Sequence, residues 1–201
     1  MDKNLIPIAR LALDFGRVNR ATWYPDGGRM ESDTDHTVML GLLALHIAGT
    51  TPGLKLKVDA LSTMALVHDL AEVYAGDTNT LGGLSEAQKA DKASRERAAA
   101  DRIRRESGGP IAWALDLYET QDTPEARFLR YLHKITPKLT QAMNGCIQVR
   151  REGRSLEWLR ERHRSQGEEL RRDYPEFAGV LGPLFDHAAE QAEAALAVVT
   201  P

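Results

Sequence analysis

Several histidines and carboxylates stand where the surrounding helical pattern calls for apolar side chains. His68 and Glu72 continue the spacing of Val58, Leu61 and Ala65, so all five fall on one stripe of a helix with Asp69 beside them. A carboxylate on such a stripe is costly unless it is paired, protonated or bound to metal. Taken alone, His68-Asp69 reads equally as a hydrogen-bonded structural pair. Upstream, the run Glu31-Ser32-Asp33-Thr34-Asp35-His36 brings a further imidazole to a helix N-terminus. His36, His68 and Asp69 would offer two nitrogens and an oxygen, a set suited to a divalent metal with positions left open for water. Capping and the helix dipole account for Asp33 and Asp35 without catalysis.

The elements that must position these groups read as helices throughout. Leu and Ala far outnumber the β-branched residues, and apolar positions recur at three- and four-residue spacing, so the expected fold is all-α. Ser32 and Asp33 cap a helix over 34–48, with Val38, Leu42 and Leu45 as its inward stripe and Leu40, Leu43 and Ile47 beside it. Thr50-Thr51-Pro52-Gly53 separates it from a helix over 57–75, which Gly76 ends. An ordered loop over 77–85 leads to helices over 86–106, 111–120, 124–143, 155–173 and 183–198, with Pro137 a kink or junction inside the helix over 124–143. No repeat or low-complexity linker marks a boundary, so 1–201 is expected to be a single domain.

Of 201 residues, 42% are apolar, and 26 Lys+Arg against 29 Asp+Glu leave a formal charge of -3. That balance argues against a protein that grips a nucleic-acid polymer by bulk electrostatics, while one small anion needs only a local basic cluster. No apolar run approaches the roughly 18 residues of a membrane span, and the N-terminal run stops at Asp14. With Cys146 the one cysteine, any metal site must use His and carboxylate, and a reducing, cytoplasmic setting is expected. The glycines form no Walker-type loop, and no serine has a nucleophile-elbow context. His163 reads as a packing residue, and His46 and His187 lack companions.

His36, the pair His68-Asp69, Glu72 and Gly76-Asp77 together resemble the HD-domain family of metal-dependent phosphohydrolases, in particular its 5′-deoxynucleotidase and small dNTP triphosphohydrolase branch. The motif-bearing stretches are Glu31 to Thr37 and His68 to Asp77, and the likeness covers about residues 5–145. It implies an HD-type helical bundle, with His36, His68 and Asp69 on a divalent metal (Zn, Co, Mn or Fe, with Mg allowed). It further implies Glu72 near the attacking water, Asp77 as a second acid/base or orienting group, and Arg17, Arg20, Trp23 and Lys134 around a nucleotide. Trp23 is equally readable as a loop anchor. Where the family carries a distal Asp-Lys, this chain has His133-Lys134. Three readings follow: His133 substitutes as a nitrogen ligand, the site binds metal weakly, or metal chemistry is lost; substitution is favoured because imidazole is a good ligand for Zn, Co or Fe.

The implied function is hydrolysis of a nucleotide phosphate ester, releasing phosphate from a dNMP or triphosphate from a dNTP, with small-molecule substrates and homo-oligomers as in the family. Lys138 is a further cation for a triphosphate. The competing reading is a non-catalytic nucleotide-binding module that lost turnover with the distal Asp. The Ala-rich C-terminal helix, with Leu184, Phe185, Ala188, Ala192 and Leu196 along one side, serves a subunit contact or closes the core.

Overall fold

A computed structural model describes residues 5–198. The helices are α1 (Leu5–Phe15), α2 (Asp33–Thr50), α3 (Val58–Val67), α4 (Glu72–Ala75), α5 (Glu86–Ser107), α6 (Gly109–Thr120), α7 (Pro124–Met143), α8 (Ile147–Arg151), α9 (Leu156–Asp173) and α10 (Ala178–Val198). A 3₁₀ turn at Pro175–Phe177 precedes α10. The expected all-α architecture holds, and its one departure among the described residues is an antiparallel hairpin of β1 (Asn19–Trp23) and β2 (Met30–Ser32). No described helix is long and apolar enough to cross a membrane.

Local chemistry fixes where the site-bearing helices begin. The Ser32 hydroxyl accepts from Asp35 N–H while the Asp35 carboxylate accepts from Ser32 N–H, a reciprocal cap that starts α2 one turn before His36. Thr123 caps α7 through Ala126 N–H, with Pro124 at the first helical position, where its missing donor costs nothing. Pro137 does not end α7. It cannot donate to the His133 carbonyl, and the Thr136 hydroxyl does so instead at 2.9 Å, leaving the His133 carbonyl satisfied.

The main core forms where α2, α3, α7 and α10 meet, with Leu40, Leu61, Met64, Phe128, Leu132 and Phe185 at its centre. Phe185 and Ala188 of α10 lie in that core, and Ala192 and Leu196 close a smaller cluster around Cys146 and Leu159, so the apolar side of α10 is used within the chain. Only Leu184 of the five residues expected on that side is exposed.

Three sequence expectations are corrected. The inward stripe of α2 is Asp33, His36, Thr37, Leu40, Ala44 and Ile47, whereas Val38, Leu42 and Leu45 are exposed. This helix is apolar nearly all round, so periodicity selects no face; the capped first turn fixes its rotation. The helix expected over 57–75 is broken, because α3 ends at Val67 and a tight turn leads to α4. In that turn Leu70 N–H bonds Val67 O and Glu72 N–H bonds Asp69 O, a three-residue spacing that brings Asp69 and Glu72 to one side. Val58, expected on the buried stripe, is exposed.

Candidate metal centre and its cleft

His36 comes from the first turns of α2, His68 and Asp69 from the turn after α3, and His133 from the middle of α7. One ligand atom from each lies within 4.8 Å of the others. The Nε2 atoms of His68, His133 and His36 stand 3.0, 3.5 and 3.7 Å from one oxygen, Asp69 Oδ2. The three rings are 4.9 to 5.3 Å apart by their centroids.

The protonation of the rings follows from their surroundings. His68 Nδ1 lies 2.8 Å from the Ala65 carbonyl, which can only accept, so Nδ1 carries a proton and Nε2 faces the cluster. Burial, reinforced by Arg20, pushes His36 well below the usual histidine range. Burial lowers His133 to about 3 against the opposing pull of Asp69, and both rings are therefore neutral. Burial opposes charge on Asp69, yet its carboxyl lies well below its ordinary value, and Arg20 Nη1 donates to its Oδ2 at 2.8 Å. Both nitrogens of His36, both of His133 and Nε2 of His68 are buried without a hydrogen-bond partner. Buried, unpartnered nitrogens of three imidazoles converging on an ionised carboxylate fit a divalent cation and leave few other ways to be satisfied.

Beside this cluster lies a carboxylate group that Arg20 bridges. Its Nη1 donates to Asp33 Oδ1 at 3.0 Å and to Asp69 Oδ2 at 2.8 Å, with Glu72 Oε2 at 3.9 Å and Glu31 Oε2 4.0 Å from Nε. Burial and then the charges of Asp69, Asp33 and Asp77 push Glu72 up to about 10, so it carries a proton at neutral pH. Burial raises Asp33 to about 6 against the pull of Arg20, and raises Asp77, whose Oδ2 accepts from Ala21 N–H. Asp33, Asp69 and Glu72 form a second acidic grouping within ligand reach of one another.

The other expected substrate residues are placed less uniformly. Arg20 is buried among carboxylates, although part of it lines the cleft described below. Arg17 lies outside that cleft, 82% exposed and paired with Asp14, because the turn after α1 points it to solvent. Trp23 is a junction residue: its indole N–H donates to Gln148, Arg151 stacks on its face, and Asn144 donates to its carbonyl, tying β1 to α8. Lys134 lines the cleft next to His133 and makes no ion pair among the described residues.

A cleft of about 140 Å³ opens from Arg20, Asp77, His133 and Lys134 and runs toward α9. Sequence reasoning missed most of its far wall, which is built from Gln141 of α7, Gln148 of α8, and Arg162 and Gln166 of α9, with Asn79 and Thr80 on the loop. The four-residue intervals Lys134–Lys138 and Arg162–Gln166 were the available signal for two polar helix faces turned to one space. His163 is buried there with Nδ1 2.8 Å from Glu193 Oε1.

Among known proteins, the chain is 30% identical over 141 residues to the 5′-deoxynucleotidase HDDC2 of Danio rerio, which is 66% of this chain and 65% of that protein. It is 30% identical over 135 residues to the human 5′-deoxynucleotidase HDDC2, covering 65% and 63%. The match thus spans slightly less than two thirds of either relative. In fold it resembles a predicted metal-dependent phosphohydrolase from Magnetospirillum magnetotacticum MS-1, with a TM-score of 0.68 at 20% identity over 96% of this chain and 98% of that one. A conserved hypothetical protein from Pyrococcus furiosus matches with a TM-score of 0.61 at 20% identity, over 92% and 99%. The HD domain family model matches residues 16–176, from the end of α1 to the turn before α10 and across every member of the histidine cluster, and this chain belongs to that family.

Proposed function

We propose that this protein is a metal-dependent phosphohydrolase that cleaves the 5′-phosphate ester of a deoxynucleotide. The observation that carries the reading is the convergence of three buried, unsatisfied imidazoles on Asp69 at the head of a polar cleft. The likeness to 5′-deoxynucleotidases supports the substrate class.

His36, His68, Asp69 and His133 would hold the cation, His133 standing where the family carries Asp. When bound, a divalent ion supplies Lewis acidity toward phosphoryl oxygen and water. Three nitrogens and one carboxylate oxygen favour Zn, Co, Fe or Mn over Mg. Arg20 holds Asp69 and Asp33 in place through its bridging guanidinium. Asp77, on the cleft wall with Oδ2 held by Ala21 N–H, is the carboxyl within reach of substrate; Glu72, behind it, stores a proton among acidic neighbours. Lys134 offsets charge gathering on the phosphoryl oxygens. In the overall hydrolysis a P–O bond to water forms as the ester P–O5′ bond breaks, and O5′ takes a proton.

The test is elemental analysis of the purified protein followed by nucleotides assayed with Mn, Co, Zn or Mg. About one bound divalent ion per chain and His68-dependent release of phosphate or polyphosphate are expected. No release with any metal, or His68→Ala equal to wild type, overturns the proposal.

A further inference from the structure

The far end of the cleft contains a buried cation that the reaction at the histidine cluster does not explain. Lys138 is 5% exposed, and its ammonium donates to Gln166 Oε1 at 2.5 Å and to the Lys134 carbonyl at 3.2 Å, over the Phe185 ring. All three partners are neutral, and no carboxylate lies within ion-pair distance of it among the described residues. Arg162, on the opposing helix, gives one N–H to the Thr80 carbonyl and likewise has no ion pair. Both line the same cleft as Lys134.

A buried ammonium kept for packing alone would be matched by a carboxylate or replaced by an apolar residue. Here polar neutral groups hold it at the wall of an open cleft. A neutral sugar or base would be served by Gln141 and Gln166 without two cations. Lys138 follows His133 by five residues, about 7.5 Å of helical rise, and Lys134 shares its helix face. The cations therefore run from the histidine cluster into the cleft.

We infer that Lys138 and Arg162 form a second anion subsite, which takes a second phosphoryl group of the substrate whose first phosphoryl group lies at the histidine cluster. This rests on the phosphohydrolase reading. The second group is either part of a polyphosphate chain or a phosphate on the sugar 3′ oxygen.

The test is calorimetric binding in a buffer free of phosphate, using the purified protein with its metal and three ligands: dAMP, deoxyadenosine 3′,5′-bisphosphate and dATP. At least one doubly or triply phosphorylated ligand should bind about tenfold or more tightly than dAMP. That advantage should fall to within about twofold in Lys138→Met and in Arg162→Gln, the latter at a partly exposed position, and persist in Lys55→Gln, a change at an exposed lysine that does not line the cleft. Tighter bisphosphate binding identifies a 3′-phosphate, and tighter dATP binding a polyphosphate. Equal affinity for all three ligands, or an advantage that survives in either cleft variant, overturns the subsite. Hydrolysis of dAMP in that case leaves the phosphohydrolase standing. A Lys138-dependent advantage without hydrolysis of any ligand leaves the subsite standing and removes the enzyme.

Discussion

Replacing Lys138 by Met should stabilise the ligand-free protein near neutral pH and weaken the stability rise that accompanies alkaline pH. Burial, then Arg162 and Lys134, lowers Lys138 from 10.5 to about 7. The folded ammonium is thus disfavoured relative to the unfolded one, and its cost is fully present below about pH 7. Between about 7 and 10.5 the unfolded chain binds more protons, so this residue makes stability increase with pH across that window. At about 1.36 kcal/mol per pH unit the cost approaches 5 kcal/mol at pH 6 and is about 2 kcal/mol at pH 9, so linkage gives a change of about 2.5 kcal/mol between those conditions. His163, Glu193, Lys134 and Arg162 surround the same space and are unchanged in the variant, so the quantity to compare is the difference between the two proteins. Urea unfolding of both at pH 6 and pH 9, without phosphate in the buffer, measures it. The variant should be more stable at pH 6 by roughly 1–3 kcal/mol once loss of the Gln166 contact is counted, with the gap narrowing by roughly 2 kcal/mol at pH 9. Parallel stabilities at the two pH values, or a variant less stable at pH 6, would refute the claim that this ammonium is buried without compensation.

Two further outcomes are expected. Ser32→Ala removes an acceptor for Asp35 N–H and one side of the reciprocal cap, and should cost about 1 kcal/mol in urea unfolding; a loss of only a few tenths would mean that the cap does not set the start of α2. His133→Asp should keep the bound metal, measured by elemental analysis, and shift preference toward Mn and Mg; loss of the metal with folding intact would remove His133 from the ligand set.

The helices were legible where end chemistry coincides with period, as at Ser32, Ser85 and Thr123, each of which caps the helix expected to follow it. His36, His68 and Asp69 stood out because polar groups on an apolar stripe demand a reason. Their proximity to His133 was supplied by family resemblance rather than spacing, since it depends on how α7 is rotated against α2 and α3. The inward face of α2 was misread because Leu and Val occur on several of its sides, and only the buried Asp33 and His36 distinguish one. The hairpin escaped because Asn19-Arg20-Ala21-Thr22-Trp23 lacks apolar alternation; its pairing positions Arg20 and Trp23 instead of building a sheet core.

Arg20 and Lys138 show why a count of cations near a cleft says little about where an anion goes. Arg20 has four carboxylates within 4.0 Å, two of them in direct hydrogen bonds. At an effective dielectric near 20, each ionised neighbour at about 4 Å is worth roughly 4 kcal/mol, so even with Glu72 protonated the field beyond Arg20 is not positive. An incoming phosphoryl group gains little from that guanidinium while the carboxylates remain its partners. Lys138 and Arg162 have no such partners, and Lys134 faces the same space. On the proposed function, a phosphorylated substrate would meet positive charge without an ion-pair partner along α7 and α9, away from the hairpin, and Arg20 would act chiefly by fixing the orientation of Asp69 and Asp33.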